Sequence, residues 1–189
     1  GEAVIMEYGI PNNNKRIDSL AAYLNADAKF GMVKVGGTFA YVQGDDNSGD
    51  DVVHNLNTGG LDFQPCLLLF NYDTVNYWIG NIYSYDGTSV GGPMSNTWFL
   101  QGRVGASVTP QLDLLASLSW AQADKKPSGF PSGSYGWEID VTGTYKITNN
   151  LSYMLGAAYF FTGDYYKGAS ADNEVKDNFM VINKLTLTF

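Results

Sequence analysis

The chain is poor in several things, and each shortage excludes something. It has one cysteine, Cys66, so no intrachain disulfide is possible and cysteine usage says nothing of the redox compartment. It has one histidine, His54. Charged residues are only 16% of the 189 positions, below the usual quarter. Basic residues are the scarcer kind, and the formal net charge of −8 argues against non-specific binding of nucleic acid. No uncharged apolar run approaches the roughly 18 residues of a transmembrane helix, but a spanning β-strand needs only about 9–11 and gives no hydropathy peak. No glycine cluster joins a strand to a helix, so a phosphate-binding loop is unsupported. No initiator Met or signal peptide opens the chain, which begins Gly1-Glu2-Ala3; a processed, engineered or fragmentary chain is expected.

Aromatics, at 14%, and glycine, with 22 residues, are abundant, and the pattern is all-β. Period-two alternation marks strands at 3–9, 19–30, 33–43, 95–108, 112–122, 135–147, 151–161 and 178–189. In 135–147, Tyr135, Trp137, Ile139, Val141, Tyr145 and Ile147 oppose Glu138, Asp140, Thr142, Thr144 and Lys146. In the last strand, Phe179, Val181, Asn183, Leu185, Leu187 and Phe189 oppose Met180, Ile182, Lys184, Thr186 and Thr188. Asn183 is then an anomaly on the apolar side, to be explained by a bulge, a neighbouring subunit or a local register error. Segments 63–71 and 75–83 form either an extra hairpin or part of one long loop; neither alternates, which favours the loop.

Connections alternate short (31–32, 109–111, 148–150) and long (10–18, 44–93, 123–134, 162–177). This is the signature of an up-and-down antiparallel meander of about 8–10 strands in one domain spanning 1–189. Alternation alone leaves open whether the apolar face lines a core or meets lipid. Three features favour lipid. The charged face is sparse and mixed in sign. Aromatics gather near strand ends (Trp98, Trp120, Trp137, Tyr135, Tyr159 and Phe161 at one, Phe30, Tyr145 and Phe189 at the other). Loop lengths are asymmetric. The expected fold is a transmembrane β-barrel in a bacterial outer membrane. Its short turns face the periplasm and the long loop 44–93 lies outside, with Trp98, Trp120, Trp137 and Phe189 in the interfacial girdles.

The lumen is then lined by Asp27, Lys29, Lys34, Arg103, Asp113, Glu138, Asp140, Lys146 and Lys184. In a wide barrel these charges bias ion passage; in a small one they fill the interior as a paired network. Loop 44–93 holds the apolar run Pro65-Cys66-Leu67-Leu68-Leu69-Phe70. Its aromatics Tyr72, Tyr77 and Trp78 are constriction candidates. The acidic cluster Asp45, Asp46, Asp50 and Asp51 is a weak Ca²⁺ candidate that lacks the terminal bidentate Glu of an EF-hand loop; it reads instead as a solvated loop, and no metal is assigned. His54 has no defined serine partner beyond Ser48, so no enzyme is expected. Cys66 reads as a buried small hydrophobe, not a nucleophile.

The runs YGWEIDVTGTYKITNNLSYMLGAAYFFTGDYYKG (135–168) and NFMVINKLTLTF (178–189) resemble the C-terminal strands of porin-like outer-membrane barrels of Gram-negative bacteria. They are most similar to alginate-export-type and deltaproteobacterial porins. The aromatic terminus, Phe189 with Leu187 and Leu185, resembles the signal read by the barrel-assembly machinery. The resemblance implies a channel for passive diffusion of small hydrophilic solutes or ions, without a cofactor, in contact with outer-membrane lipid and lipopolysaccharide. Such barrels have more strands. The chain is therefore part of a larger barrel, one of two polypeptides or a homo-oligomer completing one, or a small closed barrel. That last case is the alternative function, a structural or adhesion module acting through its loops. The Asp-rich loops suggest a mild preference for cations.

Overall fold

In the computed structural model, residues 2–9, 16–45, 49, 51–54, 62–73 and 89–189 are described. The strands are β1 (Glu2–Gly9), β2 (Arg16–Phe30), β3 (Val33–Val42), β4 (Val52–Val53), β5 (Thr97–Ser107), β6 (Leu112–Ala123), β7 (Ser134–Lys146), β8 (Leu151–Thr162) and β9 (Asn178–Leu187). All but β4 form one antiparallel meander in the order β1-β2-β3-β5-β6-β7-β8-β9, each strand beside its neighbour in sequence. The short β4 joins the start of β2 in parallel, Val52 opposite Arg16 and Val53 opposite Ile17.

Every strand expected from alternation is present. The segment 63–71 is not part of an extra hairpin but a loop with no strand pairing, and 75–83 lies outside the described residues. The closed small barrel does not form. β1 pairs with β2 alone and β9 with β8 alone, so among the described residues the sheet is open at both edges.

The register makes the sheet two-faced. One row across it is Leu100–Trp120–Trp137–Phe161, and another is Tyr145–Tyr153–Leu185. Between them stand Ile139 and Val141 on β7 and Leu155 on β8, all exposed. Leu24, Phe30, Val35, Val104, Leu114, Leu118, Phe179 and Val181 extend the same exposed apolar face. Asn183 lies on it too, opposite Leu155. The pairing runs unbroken from Asn178 to Leu187, so no bulge explains it; it is a polar residue on an edge strand.

The opposite, inner face holds the core, at the end that bears the long connections. Phe99, Ala121, Ala123, Ala40, Val42 and Phe160 rise from the strands. Cys66, Leu68, Leu69, Phe70, Val90 and Met94 come down from the segment between β4 and β5. Tyr165 and Tyr166, from a 3-10 turn (Asp164–Lys167), close the side. The long connection thus inserts against the sheet.

One aromatic departs from its expected face. Strict alternation puts Tyr135 beside Trp137 on the outside, yet it is 4% exposed and packs against Phe70, Tyr165 and Tyr166. The cause is a register shift between Ala121 and Gln122, where Gly136 pairs with Ala121 but Ser134 pairs with Gln122. Such a bulge re-aims a side chain. Gly136 permits it with φ of 125°, and a Cβ there would sit 2.1 Å from the Phe161 carbonyl oxygen.

Candidate functional site

Two polar rows cross the inner face. The first is Asn25–Thr38–Gln101–Ser119–Glu138, and the second is Asp27–Gly36–Arg103–Ser117–Asp140. Where they are open, they are knitted by Arg103. Its guanidinium donates to Asp27 Oδ1 at 2.9 Å, to Asn25 Oδ1 at 2.5 Å, to Gln101 Oε1 at 2.8 Å and to Thr38 Oγ1. Gly36 stands between the two charged residues, and a Cβ there would meet Asp27 Oδ1 at 2.0 Å. Glycine at that point is what lets Arg103 and Asp27 join across β3. Farther toward the short turns, Lys34 donates to Asp113 Oδ1 at 3.1 Å, and Ser107 Oγ donates to the same oxygen at 2.6 Å. Lys29, Lys146 and Lys184 are exposed on this face and form no ion pair among the described residues.

All nine expected lumen residues lie on the inner face, but Glu138 and Asp140 do not border open space. They are 0% and 5% exposed, because the inserted segment lies over them. Glu138 receives two backbone donors, Leu68 N–H on one carboxylate oxygen and Leu69 N–H on the other, each at 2.7 Å. Gln101 Nε2 anchors the same segment by donating to the Pro65 carbonyl at 2.6 Å, and it also donates to Ser119 Oγ at 3.0 Å. The chain turns away at Phe70, held at φ 57° with its N–H on the Val90 carbonyl at 3.1 Å. Ser117 Oγ donates to Asp140 Oδ2 at 3.2 Å, while Asp140 Oδ1 is buried with no hydrogen-bond partner. Cys66 is buried beside this pair. Burial pushes its thiol well above the usual value, and the Glu138 and Asp140 carboxylates push it the same way.

Residues 65–70 make an inward contact with the sheet. Tyr72 is half-buried, and Tyr77 and Trp78 lie outside the described residues. Of the acidic cluster, Asp45 Oδ2 accepts from the His54 N–H at 3.0 Å and the Asp51 carbonyl accepts from the Arg16 N–H at 2.7 Å; Asp46 and Asp50 lie outside the described residues. His54 fastens β4 to β2: its Nδ1 lies 2.7 Å from the Asp18 carbonyl, and its own carbonyl accepts from Ser19 Oγ. Of the girdle residues, Trp98, Trp137 and Phe189 are exposed and Trp120 half-buried. Trp98 Nε1 donates to Asp124 Oδ1 at 2.9 Å, at the strand end where the loops begin.

Sequence reasoning missed that Glu138 and Gln101 hold the inserted segment. The available signal was the non-alternating run 65–70, whose buried N–H groups need acceptors from outside any strand ladder. No protein-family model matches the chain, and no curated protein does either.

Proposed function

We propose that this chain forms wall and constriction of an outer-membrane channel, a porin-like β-barrel for passive diffusion of small hydrophilic solutes or ions. One observation carries the reading: the sheet has an apolar outer face, interrupted by Asn183 on the edge strand and bounded by aromatic rows, and a polar inner one. Trp137 and Phe161 form one cross-strand pair and Tyr145 and Tyr153 another, eight positions farther along each strand. That is about 27 Å along the strand, or about 20 Å along the barrel axis at a tilt of about 40°. The apolar band of spanning barrels is about 25 Å tall. A soluble sheet would not leave Leu118, Ile139, Val141 and Leu155 together on a bare face.

The resemblance of 135–168 and 178–189 to porin-like barrels supports the same reading. Because the sheet is open, further strands complete the ring, from other copies of this chain or from a second one. The short turns then face the periplasm, and the inserted segment narrows the pore from the long-loop side. The acidic loops point to cations, but among the described residues the open inner surface points to anions: Lys29, Lys34, Arg103, Lys146 and Lys184 stand there against Asp27 and Asp113. Surface rings of charge set selectivity, so the channel favours anions. The alternative, a non-conducting structural or adhesion module, draws support from how much of the inner face the inserted segment covers.

Reconstitution into planar bilayers tests the proposal. Stepwise conductance with an anion-selective reversal potential is expected, together with quenching of Trp98 and Trp137 by brominated lipid. Absence of both would overturn it; quenching without conductance would favour the module.

A further inference from the structure

We propose that the place where the inserted segment meets β7 is a zinc site, with Cys66 Sγ, a Glu138 oxygen and Asp140 Oδ1 as protein ligands. The Cys66 Sγ and one carboxylate oxygen from each of Glu138 and Asp140 lie within 4.8 Å of one another, and all three residues are buried. A tetrahedral Zn²⁺ with S and O ligands sets them about 3.5 Å apart, so closure needs side-chain shifts of about an ångström.

Three features point to a cation. Asp140 Oδ1 is buried without a hydrogen-bond partner, a costly arrangement that a metal bond relieves. No Lys or Arg pairs with Glu138 or Asp140 among the described residues, so no side-chain cation balances the two carboxyl groups. A cavity of about 170 Å³ adjoins the cluster, lined by Cys66, Asp140, Ser117, Gln64 and Thr142. It has room for the water that fills a fourth coordination position.

The donor set selects the metal. A thiolate with two carboxylates suits Zn²⁺, whereas Ca²⁺ and Mg²⁺ want six or more oxygens or an octahedral shell. The Leu68 and Leu69 N–H groups orient the Glu138 carboxylate from behind, as outer partners of metal ligands do. Zinc here ties the inserted segment to β7 through Cys66 as well as through Glu138. The site rests on β7 and the segment alone, so it stands whether or not the protein conducts.

The test uses the whole chain folded in detergent, dialysed against zinc and then against metal-free buffer. Elemental analysis is expected to give one zinc per chain, and bound zinc is expected to slow alkylation of Cys66 by a maleimide. Calcium and magnesium at the same concentration leave that alkylation unchanged. Cys66→Ser and Asp140→Asn, both close in shape, weaken zinc binding about tenfold or more with the circular dichroism of the sheet retained, while Asp113→Asn binds normally. Folded wild type that takes up no stoichiometric zinc overturns the site. So does equal binding by Cys66→Ser and Asp140→Asn, which would mark an adventitious ion only.

Discussion

Replacing Glu138 by alanine removes the one acceptor shared by two buried donors. Leu68 and Leu69 are 1% and 0% exposed, and each N–H reaches the carboxylate at 2.7 Å. Leaving a buried donor without its acceptor costs about 1–3 kcal/mol, so losing both bonds costs about 2–6 kcal/mol. That energy holds a segment, not the sheet, whose ladders are untouched. At about 1.4 kcal/mol per tenfold, the lower bound already raises the population of the released segment roughly thirtyfold. Glu138→Gln keeps one acceptor oxygen but turns an amide NH₂ toward the other donor, so it has an intermediate effect. Hydrogen exchange at Leu68 and Leu69, followed in chelator to exclude metal, reads the effect directly. In bilayers the same variants give larger conductance steps. Unchanged exchange at both amides in Glu138→Ala would refute the claim that this carboxylate anchors the segment.

Three further outcomes are expected. Val141→Arg, on the outer face midway between the aromatic rows, costs about 2–4 kcal/mol in bilayer-folded protein, while its neighbour Thr142→Arg on the inner face costs far less; equal costs by urea titration would count against a lipid-facing surface. Gly136→Val forces a branched residue to positive φ and against the Phe161 carbonyl, costing about 3 kcal/mol or more, seen as a lower melting temperature. The pair Lys146→Glu and Lys184→Glu shifts the reversal potential toward cations without changing stability measurably, and an unshifted potential would remove these residues from the conduction path.

The eight long strands were legible because each is two-faced, and period two survives wherever one face is apolar and the other is not. Placement of Asp27, Arg103 and Lys184 on the inner face followed from the same rule. Tyr135 broke it because a bulge leaves only one trace in a sequence, a glycine, and Gly136 looks like any other. The start of β2 at Arg16 was hidden in a polar stretch that reads as loop. The inserted segment was illegible for a different reason. Its partners lie 36 residues away at Gln101 and 70 residues away at Glu138, and nothing local in 65–70 encodes an acceptor on a distant strand.

Those separations also bear on the order of folding. The hairpins β2–β3, β5–β6 and β7–β8 close across short turns, with little loop entropy to overcome. The seat of the inserted segment is assembled from β5 and β7, both later in the chain than the segment itself. Leu68 and Leu69 therefore have nowhere to dock until strands more than two dozen positions downstream have paired. Covering of the inner face is thus contingent on the sheet beneath it, and the sheet is not contingent on the cover.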